Sequence, residues 1–203
     1  LYGFAAKKRL LGAKSPKIDL PVLCVGNFTV GGGGKTPTVM ALAKHAQSMG
    51  LKPGILTRGY GGSEKGPHLV DSDKDSAGHV GDEPLLMSFT APVAVARNRL
   101  KGAELLKRHG CDLIIMDDGF QNPSVKPSLS LVVADCNLLV VDARRGIGNG
   151  HVIPAGPLRA PLLAQMRKTD ALLIIGKADR AEPVVRAAAR AAKPVFEAEI
   201  KWD

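Results

Sequence analysis

Four consecutive glycines, Gly31 to Gly34, separate an apolar run from a stretch with helical periodicity. The run before them, "LPVLCVG", is short and rich in β-branched residues, which predicts a buried strand. The run after them, "TPTVMALAKHAQSMG", repeats apolar residues at helical spacing and ends at Gly50, which predicts a helix. Glycine loses more conformational entropy on folding than other residues, so four together between such flanks indicate a backbone that wraps closely around a ligand.

The glycines lead into Lys35 and Thr36, and the order strand, glycine loop, Lys-Thr and helix is typical of a phosphate-binding P-loop. We expect Lys35 to reach the β- and γ-phosphates of a nucleotide and the Thr36 hydroxyl to ligate Mg²⁺. The strict pattern would have glycine at Thr29, whereas the spaced glycine is Gly26, so a plain glycine turn is the alternative. The predicted nucleotide-binding residues are Gly31, Gly32, Gly33, Gly34, Lys35, Thr36 and Pro37.

The rest of the chain alternates short apolar runs with amphipathic ones. Strands are predicted at "KPGILT", "APVAVA", "CDLIIMDD", "DALLIIGKAD" and "KPVFEAEI", and helices at "DEPLLMSF", "NRLKGAELLKRHG" and "AEPVVRAAARAA". The run "LSLVVADCNLLVVDA" is interpreted as one or two strands. This alternation predicts an α/β fold, a P-loop NTPase-like three-layer core with a mostly parallel sheet covered on both faces.

The formal net charge of +9 favours anionic partners such as nucleotide phosphates or an acidic membrane surface. Nucleic acid is not expected as a partner, because only 4% of residues are aromatic and no recognition motif is visible. No obligate protein partner is indicated. No apolar run is long enough to span a bilayer, and "LYGFAAKKRL" does not look like a signal peptide.

The cysteines and histidines show no spacing typical of a metal site. Three cysteines are far apart and have apolar neighbours, which predicts buried strand thiols in a reducing cytosol. None of the five histidines stands in a metal-ligand spacing, and surface or helix-packing roles are predicted for His45 and His109; the other three are His68, His79 and His151.

Two acidic pairs carry candidate chemistry. Asp117 and Asp118 end the apolar strand in "LIIMDDGFQ", where a P-loop protein usually has its second anchor for Mg²⁺, although a polar turn is the alternative. Asp82 and Glu83 begin a predicted helix in "GDEP". They are either helix-start acids or a carboxylate that accepts a substrate hydroxyl proton.

Arginines follow several of the predicted strands. Arg58 lies in "LTRGYGG", Arg97 and Arg99 lie in "ARNRLKG", and Arg159 lies between prolines in "PAGPLRAP". Arg suits bidentate contact with phosphate, but each one taken singly is interpreted as a solvated surface residue. The stretch "IIGKAD" is similar to the guanine-reading motif of P-loop GTPases, with Gly176 where that motif has Asn or Thr.

Five motifs occur together and in a fixed order: "VGNFTVGGGGKTP", "TRGYGG", "GDEP", "DDGFQ" and "GNGHVIPAGPLRAP". In this combination the chain resembles the tetraacyldisaccharide 4′-kinase family, from Pro21 to about Pro161. The resemblance implies phosphoryl transfer from ATP to the 4′-hydroxyl of an anionic acylated disaccharide lipid, tetraacyldisaccharide 1-phosphate, which gives lipid IV-A. It also implies a location at the cytoplasmic face of the bacterial inner membrane.

The resemblance further assigns roles to single residues. Asp82 matches the proposed general base, with Lys35 assisting catalysis, and Glu83 lies beside the metal with Thr36, Asp117 and Asp118. The substrate side is implied to include Arg58, Tyr60, Gln121, Asn122 and Arg159.

The sequence departs from this family at several points. Asn122 stands where many members have His, and Gly33 where they have Thr or Ser more often. Members continue for roughly another hundred residues with a smaller lobe, and they begin with a membrane helix, so the chain is expected to be cut at both ends. Residues 1–20 are interpreted as a basic segment that follows such a helix, and residues 21–203 as the kinase core. A GTPase or metallochaperone-like switch, or an inactive nucleotide-binding module, remain alternatives.

Overall fold

The computed structural model describes residues 18–31, 33–119, 136–177 and 179–201. Within these ranges the chain forms an eight-stranded sheet with helices on both faces. No helix among the described residues is long and apolar enough to cross a membrane.

Seven of the eight strands run parallel. The order across the sheet is β3-β4-β2-β5-β1-β6-β7-β8, and only β3 pairs antiparallel, with β4. The glycine loop therefore leaves a central strand, β1, whose neighbours are β5 and β6. The strands are β1 Val22–Gly26, β2 Pro53–Thr57, β3 His68–Leu69, β4 Val93–Val95, β5 Leu113–Asp117, β6 Cys136–Asp142, β7 Ala171–Ile175 and β8 Val195–Ala198.

The helices begin and end at residues whose chemistry explains the boundary. Gly34, with φ of 82°, precedes the first helix, and Gly50, also at 82°, follows its end. The Asn98 side chain accepts a hydrogen bond from the Lys101 backbone N–H and caps the fourth helix. The helices are α1 Lys35–Ser48, α2 Ala77–Val80, α3 Asp82–Ser88, α4 Arg99–Arg108, α5 Leu162–Met166 and α6 Glu182–Arg190, the last preceded by a 3₁₀ turn at Asp179–Ala181.

Alternate residues of the central strands supply two separate hydrophobic cores. Val25, Ile55 and Ile115 pack with α1 and α3 on one face of the sheet. Cys24 and Met116, with other residues of the same strands, pack with α4, α5 and α6 on the opposite face. Because both faces are buried, the strands show the continuous apolar runs seen in the sequence.

The predicted α/β class with a three-layer, mostly parallel sheet is confirmed. The short elements β3, α2 and α5 were not predicted, because each is too short for a periodic signal. Cys24 and Cys111 are buried as predicted, whereas Cys136 is half-buried. Burial raises the pKa of the Cys24 thiol to about 12, so this thiol is inert near neutrality. The first half of "LSLVVADCNLLVVDA" lies outside the described residues.

Candidate active site

The glycine loop follows β1 directly and is held by its own side chains. The Asn27 side-chain amide donates to the Gly31 carbonyl at 2.8 Å, and the Thr38 hydroxyl donates to the Gly34 carbonyl at 2.7 Å. Helix α1 begins at Lys35, so the free N–H groups of its first turn lie next to the loop. This is a concave arrangement of backbone donors suited to phosphate oxygens.

Lys35 folds back over this loop. Its Nζ lies 3.4 Å from the Gly31 carbonyl oxygen and 4.0 Å from Oδ1 of Asp118, and its side chain is only 11% exposed. The ammonium group is thus positioned between the loop and the carboxylates at the end of β5. Thr36 follows on the same turn of α1 and is half-buried, and Pro37 is exposed.

Asp117 ends β5 and is almost fully buried, at 2% exposure. The Thr57 hydroxyl donates to its Oδ2 at 3.4 Å, while its Oδ1 has no hydrogen-bond partner among the described residues. Burial, together with the negative charges of Asp118 and Glu83, raises the pKa of Asp117 to about 6. A buried carboxylate with an unused oxygen and acidic neighbours needs a cation to be stable in its ionised form.

Asp118 forms the main ion pair of the site with Arg159. Nη1 of Arg159 lies 2.9 Å from Oδ1 of Asp118, and Nη2 lies 3.2 Å from Oδ2. The same guanidinium donates through Nε to the Thr29 carbonyl at 3.0 Å. The proline-rich loop also pairs with the glycine loop through its backbone, since the Val30 N–H donates to the Pro157 carbonyl. Arg159 therefore connects the glycine loop to the acidic end of β5.

This placement corrects the interpretation of Arg159 as a solvated residue when taken singly, since it is only 9% exposed. Its guanidinium points to Asp118 rather than away from the fold. Asp118 and Arg159 are 41 residues apart in sequence, so no local pattern indicated this pairing.

Arg99 is a second arginine that sequence reasoning placed in solvent. It is half-buried on the first turn of α4, and its Nη1 is buried without a hydrogen-bond partner among the described residues. Burial lowers the pKa of Arg99, and the negative charge of Asp117 opposes this shift. The position of Arg99 could have indicated this burial, because Arg99 directly follows the helix cap Asn98, which comes soon after strand β4. By contrast, Arg97 is exposed.

The "GDEP" segment approaches the same carboxylates from α3. Asp82 and Glu83 are the first two residues of this helix, and both are exposed. Burial is the main cause of the raised pKa of Asp117, and the charge of Glu83 contributes to it after that of Asp118. Neither Asp82 nor Glu83 makes a hydrogen bond through its side chain to another described residue. Asp82 is thus open to solvent beside the site.

The "TRGYGG" loop packs against this helix start. Arg58 is half-buried directly after β2, and the side chain of Tyr60 is 92% exposed. A Cβ on Gly81, whose φ is 100°, would meet the Tyr60 carbonyl at 2.7 Å, so the two segments touch through their backbones. Arg58 begins this loop, and its positive charge adds to the burial that lowers the pKa of Arg99.

The structure thus brings most of the predicted residues to the carboxyl ends of three adjacent strands, β2, β5 and β1. The predicted residues Gly32, Gln121 and Asn122 lie outside the described residues. Lys177 of "IIGKAD", the stretch similar to a guanine-reading motif, is exposed and pairs with Glu199 at 3.3 Å.

Comparison with known proteins identifies relatives along the whole chain. The model of the family described as tetraacyldisaccharide-1-P 4′-kinase matches residues 1–203. The tetraacyldisaccharide 4′-kinase of Brucella anthropi is 61% identical over 201 residues, which cover 99% of this chain and 57% of the relative. The chain therefore spans little more than half the length of that protein.

Solved structures agree with this result. The crystal structure of LpxK from Aquifex aeolicus in complex with ATP matches with a TM-score of 0.73 and 30% identity, covering 97% of this chain and 62% of that one. The signal recognition particle 54 kDa protein of Aeropyrum pernix in complex with GDP matches with a TM-score of 0.55 and 18% identity, over 98% of this chain and 47% of that one, which shows a shared fold alone. The chain belongs to the tetraacyldisaccharide-1-P 4′-kinase family.

Proposed function

We propose that this chain forms the nucleotide-binding core of a kinase that transfers the γ-phosphoryl group of ATP to the 4′-hydroxyl of tetraacyldisaccharide 1-phosphate, giving lipid IV-A in lipid A biosynthesis. The observation that carries the proposal is the ammonium group of Lys35, which lies between a glycine loop and Asp118 in a chain of this family. Because the chain spans 57% of its Brucella relative, the activity is proposed for the whole protein.

ATP would lie along the glycine loop and the first turn of α1. Backbone N–H groups of Gly31, Gly33 and Gly34 and the Lys35 ammonium group would bind the phosphates. Gly32, Thr36 and Pro37 are proposed to belong to the same nucleotide site. The LpxK structure that matches this chain was solved in complex with ATP, which supports ATP as the nucleotide. Lys35 would stabilise the charge that develops on the transferred group.

The acidic residues fit a magnesium ion. Asp117 has an unused buried oxygen and a pKa raised to about 6, and Asp118 and Glu83 add negative charge to the same place. Mg²⁺ prefers oxygen ligands, which Asp117, Asp118, Glu83 and the Thr36 hydroxyl supply. The bound ion would neutralise phosphate charge during transfer. Arg159 would hold Asp118 in position through its paired hydrogen bonds.

Asp82 is proposed as the group that accepts the proton of the 4′-hydroxyl. A general base must reach the reacting hydroxyl, and Asp82 is exposed at the start of α3, next to the site but not engaged with a described partner. Arg58 and Tyr60 are proposed to contact the substrate from the adjoining loop, because Tyr60 presents its ring to solvent there. Gln121 and Asn122 are proposed to contact it as well.

Because the proposed acceptor is a lipid, the reaction is proposed to take place at a membrane surface. We assign the protein to the cytoplasmic face of the bacterial inner membrane, where ATP is available. Basic residues of the N-terminal segment, among them Lys7, Lys8, Arg9 and Lys14, favour contact with acidic lipid head groups. Each contributes about 1 kcal/mol near such a surface.

The test compares two variants of the full-length protein. Lys35→Ala should abolish ATP binding and turnover together, because it removes the charge beside the phosphates. Asp82→Asn should leave ATP affinity nearly unchanged while kcat falls about 100-fold or more, because only proton transfer is lost. Asp73→Asn, an exposed aspartate elsewhere, is the matched control. Binding is measured by calorimetry and turnover with tetraacyldisaccharide 1-phosphate.

The same measurements separate the alternatives. GTP bound in preference to ATP would indicate a GTPase-like switch, and ATP bound without lipid phosphorylation would indicate an inactive module. Wild-type turnover in Asp82→Asn would show that Asp82 is only a helix-start acid. Unchanged ATP binding in Lys35→Ala would contradict the nucleotide site itself.

A further inference from the structure

Two histidines and two carboxylates converge in the segment between β2 and β4, away from the glycine loop. His68 lies on the edge strand β3, Asp75 just precedes α2, and His79 lies within α2. One potential ligand atom from each of these three residues lies within 4.8 Å of the other two. The spacing of these residues does not predict the cluster, which His68 enters from the edge strand β3, paired antiparallel with β4.

Asp75 is the centre of the cluster, and its side chain is 7% exposed. Its Oδ2 lies 2.6 Å from Nε2 of His68, and its Oδ1 lies 2.7 Å from Nδ1 of His79. The Asp71 backbone N–H also donates to Oδ2, at 2.9 Å, which fixes the carboxylate. Two imidazole nitrogens therefore face one oriented carboxylate.

Glu64 completes the arrangement from behind His79. Its Oε2 lies 3.1 Å from Nε2 of His79, and its Oε1 accepts hydrogen bonds from the Lys65 and Gly66 backbone N–H groups at 2.7 Å. A proton on Nε2, donated to Glu64, leaves the lone pair of His79 on Nδ1, towards Asp75 and His68. A carboxylate on the outer nitrogen of an imidazole is the usual support of a metal-bound histidine.

We propose that this cluster binds a divalent transition-metal ion of the zinc class, through Nε2 of His68, Nδ1 of His79 and the Asp75 carboxylate. Two imidazoles and one carboxylate suit Zn²⁺, whereas Mg²⁺ prefers an all-oxygen set. The side chains of His68 and His79 are 31% and 41% exposed, so the ion can enter from solvent and water can take the fourth position. The bound ion would connect β3, through His68, to α2, through His79, which lies three residues before Asp82.

The first experiment titrates the chelator-treated chain with Zn²⁺ by calorimetry, in excess Mg²⁺ to fill any oxygen site. We expect one equivalent to bind, and Co²⁺ to give the visible absorption bands of a tetrahedral site. His68→Ala and His79→Ala should each weaken binding by at least about 100-fold, and Glu64→Gln by about 10-fold or more. His45→Ala, an exposed histidine on α1, is the control and should bind like wild type.

A second measurement needs no substitution, so it stands even if a variant fails to fold. In NMR spectra of the imidazole rings of the wild-type chain, Zn²⁺ should shift the signals of His68 and His79 and leave those of the other three histidines unchanged. The proposal is overturned if stoichiometric Zn²⁺ moves no ring signals. It is equally overturned if folded His68→Ala and His79→Ala keep wild-type affinity.

Discussion

Replacing Arg159 with alanine tests the contact that joins the glycine loop to the end of β5. The change removes the paired hydrogen bonds to Asp118 and the Nε bond to the Thr29 carbonyl. The backbone hydrogen bond from the Arg159 N–H to the Phe28 carbonyl is retained in the variant. Asp118 then loses this counter-charge while remaining next to the ionisable Asp117.

The magnitude follows from burial. Removing one partner of a fully buried ion pair costs about 3–5 kcal/mol, and a single hydrogen bond to a charged group contributes about 1.5–3 kcal/mol. Arg159 is buried, but the Asp118 side chain is 39% exposed, so water stabilises the carboxylate that is left behind. We expect the free energy of unfolding to fall by about 2–3 kcal/mol, which lowers Tm by roughly 5–10 °C for a domain of this size.

The assay is thermal unfolding of wild type and three variants. Arg159→Lys keeps the charge but not the planar fork, so it should recover about half of the lost stability. Arg190→Ala removes an exposed arginine at the end of α6 and should leave Tm unchanged. A second readout is ATP affinity, which should fall about tenfold or more in Arg159→Ala, because the glycine loop loses its connection to β5.

Two results would refute this reasoning. A Tm of Arg159→Ala equal to that of Arg190→Ala would show that the ion pair does not stabilise the fold. A Tm of Arg159→Lys equal to that of wild type would show that the paired geometry is irrelevant and that a positive charge suffices.

Four further predictions concern the same site and the membrane. Asp117→Asn should stabilise the metal-free chain by about 1–3 kcal/mol near pH 7. The reason is that ionising Asp117 is unfavourable in the fold, where burial raises its pKa to about 6 from an ordinary value of 3.8. Chemical denaturation measures this change in the free energy of unfolding, and no gain would contradict the prediction. In activity assays the same variant should need more Mg²⁺ for half-maximal turnover, and a titration that superimposes on wild type would argue against a metal role. Gly33→Ser should fold and bind ATP normally, since the added Cβ would meet only the Asn27 side chain, at 3.6 Å. Gly34→Ser should lose stability and ATP affinity, because φ is 82° at that position and the Ile175 side chain occupies the space of the Cβ. Binding of the chain to vesicles should require anionic lipid and weaken with salt, so equal sedimentation with neutral vesicles would rule out the electrostatic contact.

Local chemistry made much of this protein predictable from its sequence. The strand before the glycines, the loop and helix α1 are encoded in consecutive residues, since the helical period and the glycine conformations act over a few positions. The end of helix α1 at Gly50 was predicted for the same reason. The alternation of apolar and amphipathic runs was sufficient to predict a parallel sheet with both faces covered.

Tertiary structure alone decided which side chains meet. The order of the strands places β5 beside β1, and only this puts Asp117 and Asp118 next to the glycine loop. Arg159 reaches Thr29 across 130 residues of sequence, a separation over which no local pattern carries information. The burial of Arg99 was not predictable from its sequence neighbours either, since it depends on the position of α4 against the sheet.

His68 and His79 show most clearly what could not be predicted from the sequence. By spacing, His68 and His79 predict no metal site. His68 lies on the edge strand β3 and His79 lies on α2, yet both rings contact the carboxylate of Asp75. The sequence determined the elements and the residues available for chemistry, whereas their convergence depends on strand order, which is settled by packing across the whole sheet.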